Sequence, residues 1–460
     1  MRFQRLQKLQ RFQSFQSFNR SNRFKTIAVS MLLFVMIVVS ACSNNGDGGS
    51  KASGNGGQEK GGSKEPVTIT YMISQTSLKE VHKKMAEKIK QDENITVEFE
   101  VVPDVQYTNL LQTKIASGEV PDVVALNMPE HLQIFNIDNF EDLSSEPWVT
   151  RLNNPDQFKY MDGKFYGFPY AAPELALGAV YNKKVFADLS LSEPKTYSEF
   201  ISALDTIKAS GIDPIYMSNK ELWTTQIAML IYTNAALKDR AAATYTDLIE
   251  NKKKFADVPE YKQAMEAVKQ LVTGGYVNKN HVTATYDMAK EMVATEKAAL
   301  MINGQFAIND IAAKWPNADI GFFPIPYEGA DSVVTSNIFN SLAIMKNGKQ
   351  VDKVKKWLDL WSQPEYQNLF NQENPGIPGV KDATPGEIHP AIQSINDNYL
   401  NKGKSSIQMN DYFNAMGNFG SGLLYPIYVE ILMDRNIDEA IKDIDKGWQD
   451  LGKEKKLPGF

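Results

Sequence analysis

Hydrophobic and polar positions divide the chain from residue 67 onward into strands and helices that take turns. Residues 67–73 (VTITYMI) are β-branched and apolar, which predicts a strand. Ser77-Leu78-Lys79-Glu80 has capping-box spacing, and Val81, Met85 and Ile89 fall on one face of the helix that would follow. Ile95, Val97, Phe99 and Val101 alternate with Thr96, Glu98 and Glu100, the period of a half-buried strand. A helix over 107–117 stops at Gly118, and 121–126 (PDVVAL) is a continuous apolar strand ending in Asn127. The order β-α-β-α-β predicts a parallel α/β sheet. Further on, Thr196-Tyr197-Ser198-Glu199 is a second capping box, opening a helix with Phe200, Leu204 and Ile207 inward and Gly211 at its end. Val351, Val354, Leu358 and Trp361 form an apolar stripe. Ile441, Ile444, Trp448 and Leu451 form another, ended by Gly452. Both stripes read as core.

In open parallel sheets ligands sit beyond the carboxyl ends of the strands. Ser74, Gln75, Thr76 and Asn127 lie there. Loop and cap chemistry accounts for such residues as well as ligand contact does, and the pattern leaves both open.

Residues 27–41 (IAVSMLLFVMIVVSA) carry no charge and follow a basic stretch. About fifteen residues are short for a membrane span, which needs roughly twenty, and fit the apolar core of a secretory signal. The only cysteine, Cys42, comes directly after, in Val39-Ser40-Ala41-Cys42. This resembles the bacterial lipobox, cut before a cysteine that carries a diacylglycerol. The expected leader is therefore 1–41. Residues 43–66 hold eight glycines among Ser, Asn and charged side chains, which cannot bury apolar surface. The lipidated cysteine and this flexible tether, 42–66, would give the folded body about 25–30 Å of reach from its anchor. The expected location is the outer face of a bacterial cell membrane.

Charge sharpens this. The formal net charge is −6, but residues 1–41 hold seven basic side chains and no acid, so the remainder stands at 42 basic against 55 acidic residues, a net of −13. Such a chain is a poor partner for nucleic acid, and contact with a membrane is expected through the lipid only. At 460 residues with 43% hydrophobic content, more than one core is expected. One cysteine excludes an internal disulfide. There is no GxxxxGK[ST], HExxH or GxSxG, and the four histidines (His82, His131, His281, His389) show no ligand spacing. No catalytic residue, cofactor or metal is expected.

The later motifs add a family. DGKFYGFPYAAPELALGAVYNKKVF at 162–186, LSEPKTYSEF at 191–200, KAALMINGQFAINDI at 297–311 and IGFFPIPYEG at 320–329 follow ASGEVPDVVAL at 116–126. NSLAIMKN at 340–347, KKWLDLWSQPEYQNLF at 355–370 and NIDEAIKDIDKGWQ at 436–449 complete the series. In this order, after a lipobox, they resemble extracellular solute-binding protein family 1, the sugar-binding lipoproteins of ABC importers.

The resemblance implies an α/β, two-lobed periplasmic-binding-protein-like fold with a discontinuous chain, a hinge and an interlobe ligand cleft. Lobe one would be 66–172 plus 336–374, and lobe two 173–335 plus 375–460. The chain would cross near 171–175, 335–339 and 373–379. Carried onto this sequence, Glu174 stands where maltose-type members place a sugar-binding glutamate, and Glu221 and Trp223 correspond to an acid and an aromatic platform. Gln305 and Phe306 follow Gly304 where the family often has an aromatic, and Tyr425 is near another platform position. Flat rings cover the C–H faces of a sugar while Asp, Glu, Asn and Gln bind its hydroxyls. Lobe core and surface acids are the plainer readings of these residues. The implied function is a monomeric receptor that captures a mono- or oligosaccharide for the permease subunits of an ABC transporter. A lipid-anchored hydrolase or lyase, or a surface lipoprotein without a soluble ligand, are the alternatives.

Overall fold

Val67–Ser74, the first strand, is part-exposed at its start and wholly buried from Tyr71 to Ile73, as a strand with neighbours on both sides must be. The computed structural model describes residues 66–153, 155–160, 162–170, 175–375 and 378–460. The leader, Cys42 and Glu174 lie outside the described residues.

The strands are β1 (Val67–Ser74), β2 (Ile95–Val102), β3 (Val123–Met128), β4 (Phe168–Pro169), β5 (Leu175–Asn182), β6 (Asp213–Ile215), β7 (Ala298–Gly304), β8 (Ile320–Phe323), β9 (Val333–Ser336), β10 (Phe339–Ile344) and β11 (Ser405–Ile407). They form two sheets. The first has the order β2-β1-β3-β10-β4, with β1 parallel to β2 and β3 and with β10 antiparallel to β3 and β4. The second runs β11-β9-β5-β7-β6, with β8 also paired to β5. Helices matter here where they flank strand ends: α1 (Glu80–Glu93), α2 (Asp104–Ser117), α3 (Glu130–Phe135), α4 (Leu222–Leu237), α5 (Tyr286–Ala294), α6 (Phe306–Lys314), α7 (Met409–Tyr412) and α8 (Tyr425–Leu432).

Each sheet has its own core. Ile69, Tyr71 and Leu111 pack with Trp357 and Trp361 against the first. The second is covered on both faces, and β5 shows how: Leu177, Ala179 and Tyr181 enter one cluster while Ala176 and Val180 enter the other. Gly178 sits between them because a Cβ there would stand 2.5 Å from the Phe322 ring. Truncating a tryptophan such as Trp361, fully buried in the first core, would cost about 3–5 kcal/mol.

The β-α-β-α-β reading of 67–128 holds, and so do both helix stripes as core: Val354, Leu358, Trp361, Ile444 and Trp448 are buried. Four details differ. The first helix starts at Glu80 with Lys79 as its cap; Ser77 instead bonds Ser74 side chain to side chain at 2.8 Å. Val101 is 45% exposed, because β2 is an edge strand and the burial shifts to Val102 at its end. The last helix, Ile437–Glu454, runs through Gly452, where the Phe460 ring fills the place of a side chain. Finally, the chain stays on the first core beyond residue 375. Val380 bridges to Leu152, Lys381 bonds to Arg151, and Asn371 holds Thr384. Ala391 and Ile392 then join the second sheet's core.

Candidate functional site

The carboxyl ends of the parallel strands are where backbone groups run out of partners and side chains from several loops converge. In the first sheet these ends are Ser74, Val102 and Met128. The loop after β1 is pinned: the Thr76 backbone N–H donates to the Asp104 carboxylate at 3.1 Å, and its hydroxyl donates to the other oxygen. Asp104 opens α2 directly after β2. Gln75 is exposed, while its N–H donates to Val102 O at 2.8 Å. Asn127 is part-buried at the end of β3, its N–H donating to His131 Nδ1 at 3.2 Å. Burial holds His131 near pKa 4, so the ring is neutral and able to accept.

In the second sheet, β6 and β7 run parallel and end near α4 and α6. Glu221 caps α4, and its carboxylate accepts the Tyr286 N–H at 2.9 Å. Burial raises the Glu221 pKa, and the negative charge of Asp104 raises it further. Trp223 follows at the first turn. Its ring is part-buried, edge-on to Tyr286 at 5.2 Å and tilted toward Phe306 at 5.9 Å. Gly304 makes this possible, since the Phe306 ring folds back to within 2.2 Å of where a Cβ would stand. Gln305, between them, donates its N–H to Ala176 O at 2.8 Å.

Contacts link these ends. Lys79 Nζ lies 2.7 Å from Asp310 Oδ1, while Asp310 Oδ2 accepts the Tyr286 hydroxyl at 2.9 Å. Lys290 stands 4.4 Å over the Tyr286 ring. Asn309 donates to Pro375 O at 2.7 Å. One turn past Trp223, Gln226 accepts from Asn410, whose amide also lies 3.4 Å from the Tyr425 hydroxyl. Tyr425 is buried, and the Glu130 carboxylate is among the charges that raise its pKa.

Glu130 and Asp411 form the other end. Burial and the charge of Asp411 push Glu130 up to about 7; burial pushes Asp411 up to about 6. Asp411 accepts from the Asn337 N–H at 2.6 Å and Gln408 Nε2 at 2.7 Å. It also lines a cavity of about 140 Å³ with Met128, Phe158, Tyr160, Tyr166 and Phe339.

Of the residues expected from sequence, Glu221, Trp223, Gln305 and Phe306 come together, and Ser74, Gln75 and Asn127 end two adjacent strands. Tyr425 stands apart from the Trp223 rings and connects to them through Gln226. Tyr286, Asp310, Lys79, Asp104, Glu130 and Asp411 were missed. For Asp104 and Glu130 a signal existed: each lies within two residues of a parallel strand's carboxyl end.

Rings beside hydrogen-bonding carboxylates at the ends of two sheets, with no group of metal-binding side chains among the described residues, suit the retention of a solute. That is the chemistry of a binding protein. The family model of the bacterial extracellular solute-binding protein matches residues 74–368, and the chain belongs to that family. The membership implied by the ordered motifs is thus borne out, and the protein is a non-catalytic solute-binding protein of the ABC-importer type. The chain is 25% identical over 371 residues to the multiple sugar-binding protein of Streptococcus mutans, covering 77% of this chain and 86% of the relative. It is 24% identical over 312 residues to the melibiose/raffinose/stachyose-binding protein MelE of Bacillus subtilis, covering 65% and 71%. Among solved structures, a sugar transporter from Bacillus licheniformis in complex with stachyose aligns with a TM-score of 0.66 at 19% identity, over 84% of this chain and all of that one. No helix among the described residues is long and apolar enough to cross a membrane.

Proposed function

We propose that the protein is a lipid-anchored extracellular receptor that captures a mono- or oligosaccharide between two lobes and delivers it to an ABC permease. The observation that carries this is the Trp223–Tyr286–Phe306 cluster beside Glu221. Rings of this kind cover sugar faces while the carboxylate takes hydroxyls. Sugar binding by the named relatives supports the same substrate class. The two lobes are built on the two sheets, 66–172 plus 336–374 and 173–335 plus 375–460, with the segment to about Gly386 moving with the first. The contact residues are Ser74, Gln75, Asn127, Glu174, Glu221, Trp223, Gln305, Phe306 and Tyr425. A solute touching both lobes binds the closed state more tightly and so shifts the population toward it. The closed, loaded form is what the permease distinguishes.

A thermal-shift screen against a sugar library tests the reading. A ligand present at 100 times its dissociation constant adds about 2.7 kcal/mol of stability. A library without one stabilising sugar overturns it. For the anchor, Cys42→Ala releases the body from the membrane or leaves an unprocessed precursor. A variant of mature size that stays fully membrane-bound refutes lipidation.

A further inference from the structure

The cavity of about 140 Å³ lies beside Asn337, in the link through which the chain passes from β9 of the second sheet to β10 of the first. Trp223, Tyr286 and Phe306 are not among its walls. Those walls come from both parts of the fold. Met128, Phe158, Tyr160, Tyr166 and Phe339 belong to the first core or pack against it, whereas Asp411 lies on α7, which follows the second sheet's β11. Phe158 is edge-on to Phe339 at 5.1 Å, and Tyr160 stands perpendicular to Tyr166 at 6.0 Å. The two phenylalanines are buried, but both tyrosines are only part-buried, so each keeps ring surface with no protein against it. Lys159 and Asn337 are exposed, and the cavity opens to solvent beside them.

Asp411 supplies the polar side. It accepts the Asn337 N–H and Gln408 Nε2, with the Ser336 hydroxyl at 3.4 Å. An ionised carboxylate has about four lone-pair sites, so these donors leave capacity for a hydroxyl of a ligand. The cavity is also joined to the aromatic platform. Asn410, next to Asp411, donates to Gln226, one turn past Trp223 on α4.

We propose that this cavity is a second saccharide subsite, enclosing one terminal ring of an oligosaccharide whose following rings run toward Trp223. The inference rests on the carbohydrate reading and deepens it, because it requires a solute of at least two rings. A cavity of about 150 Å³ takes up benzene, so this one has room for a single six-membered ring and receives the end of a chain. Tyr160 and Tyr166 cover the C–H faces of that ring, and the Asp411 carboxylate takes its hydroxyls. An occupant touches both parts of the fold, so its binding favours the arrangement that brings them together.

The test is calorimetry on the full-length protein at pH 8, where Asp411 is ionised, with gluco-, galacto- and xylo-saccharides of one to five rings. Affinity is expected to rise at least about tenfold between one ring and three in the series that binds best. Tyr160→Ala should weaken the tightest-binding member at least about fivefold, and Tyr160→Phe, which keeps the ring, should restore binding to within about twofold. A monosaccharide that binds as tightly as its longer relatives overturns the inference, as does an unchanged affinity in Tyr160→Ala. Should Tyr160→Ala fail to fold, a crystal structure of the wild-type protein with the tightest-binding member decides. A sugar ring in contact with Tyr160 and Asp411 is expected. A sugar confined to the Trp223 rings overturns the subsite and leaves the sugar reading standing. A panel in which no saccharide binds overturns both.

Discussion

The two ends of the site are built on opposite terms. At the Trp223 end every carboxylate has a donor: Glu221 takes the Tyr286 N–H, Asp104 takes Thr76, and Asp310 takes both the Tyr286 hydroxyl and Lys79. Among the described residues, one carboxylate at the Glu130 end has no hydrogen-bond donor and the other has only neutral ones. Both ends carry aromatic rings and part-buried acids, so composition does not separate them. The partners do. A satisfied network holds its rings in one arrangement, whereas a carboxylate without a donor has no partner to offset its desolvation.

The strongest way to break this comparison is to remove the hub of the satisfied end. Asp310→Ala strands Lys79 and the Tyr286 hydroxyl, and with Asp310 only about one-tenth exposed the loss of stability should be about 2–4 kcal/mol. Chemical denaturation reads this directly; a loss under about 0.5 kcal/mol would mean that the network is incidental. Trp223→Ala should weaken sugar binding by about 1–3 kcal/mol, roughly 5–150-fold, and leave apo stability nearly intact. If the ring is core, the same change instead costs about 3–5 kcal/mol of apo stability, so calorimetry and melting of one variant decide.

The Glu130 end is sharpened by pH. Glu130 and Asp411 have folded-state pKa values near 7 and 6, above their unfolded values, so their protonated forms stabilise the fold at low pH. That stabilisation is fully present below about pH 4 and is lost as the pH rises through 6 to 7. His82 and His131, both lowered to about 4 by burial, act the other way: their contribution is present above about 6.5 and is lost as the pH falls through 4. The two effects oppose each other between pH 4 and 7, and the wild-type profile is expected to peak inside that window. Glu130→Gln removes part of the falling limb, making the variant more stable than wild type at pH 8, relative to pH 5, by about 1–2 kcal/mol. Denaturation at several pH values checks it, and parallel profiles for the two proteins would refute the assignment. The smallest effect belongs to Glu221→Gln. It keeps an acceptor for the Tyr286 N–H and should change stability by less than about 1 kcal/mol.

How much of this was legible follows from where partners lie in the chain. Residues 67–128 announce themselves because β1 pairs with β2 across one helix and with β3 across two, and the period of each element reveals such a unit. The second sheet does not, since β5 pairs with β7 as Leu177↔Gly304 and with β9 as Leu175↔Ser336, across stretches that no local pattern spans. The same holds for the site. Trp223 and Phe306 could be named from the motifs that carry them, but Tyr286, which ties them together, sits on an ordinary helix start. Lys79 caps the first helix where the spacing points to Ser77, because spacing cannot tell which of two adjacent turns the backbone will use. Glu130 and Asp411 carry no spacing of their own, and only folding makes them neighbours.

Strand β10 has a consequence for how the chain acquires its structure. It lies between β3 and β4, so the first sheet, begun at residue 67, is closed by residues 339–344, which come only after most of the second sheet's strands. Among the described residues, strand β4 has no other partner. Pairings that distant in sequence carry a large loop-closure cost and make folding slow. A chain released residue by residue would hold β3 with a bare edge until more than two hundred further residues had emerged. The first core is thus the earliest to start and among the last to finish, and a truncation anywhere before residue 344 should leave neither sheet order intact.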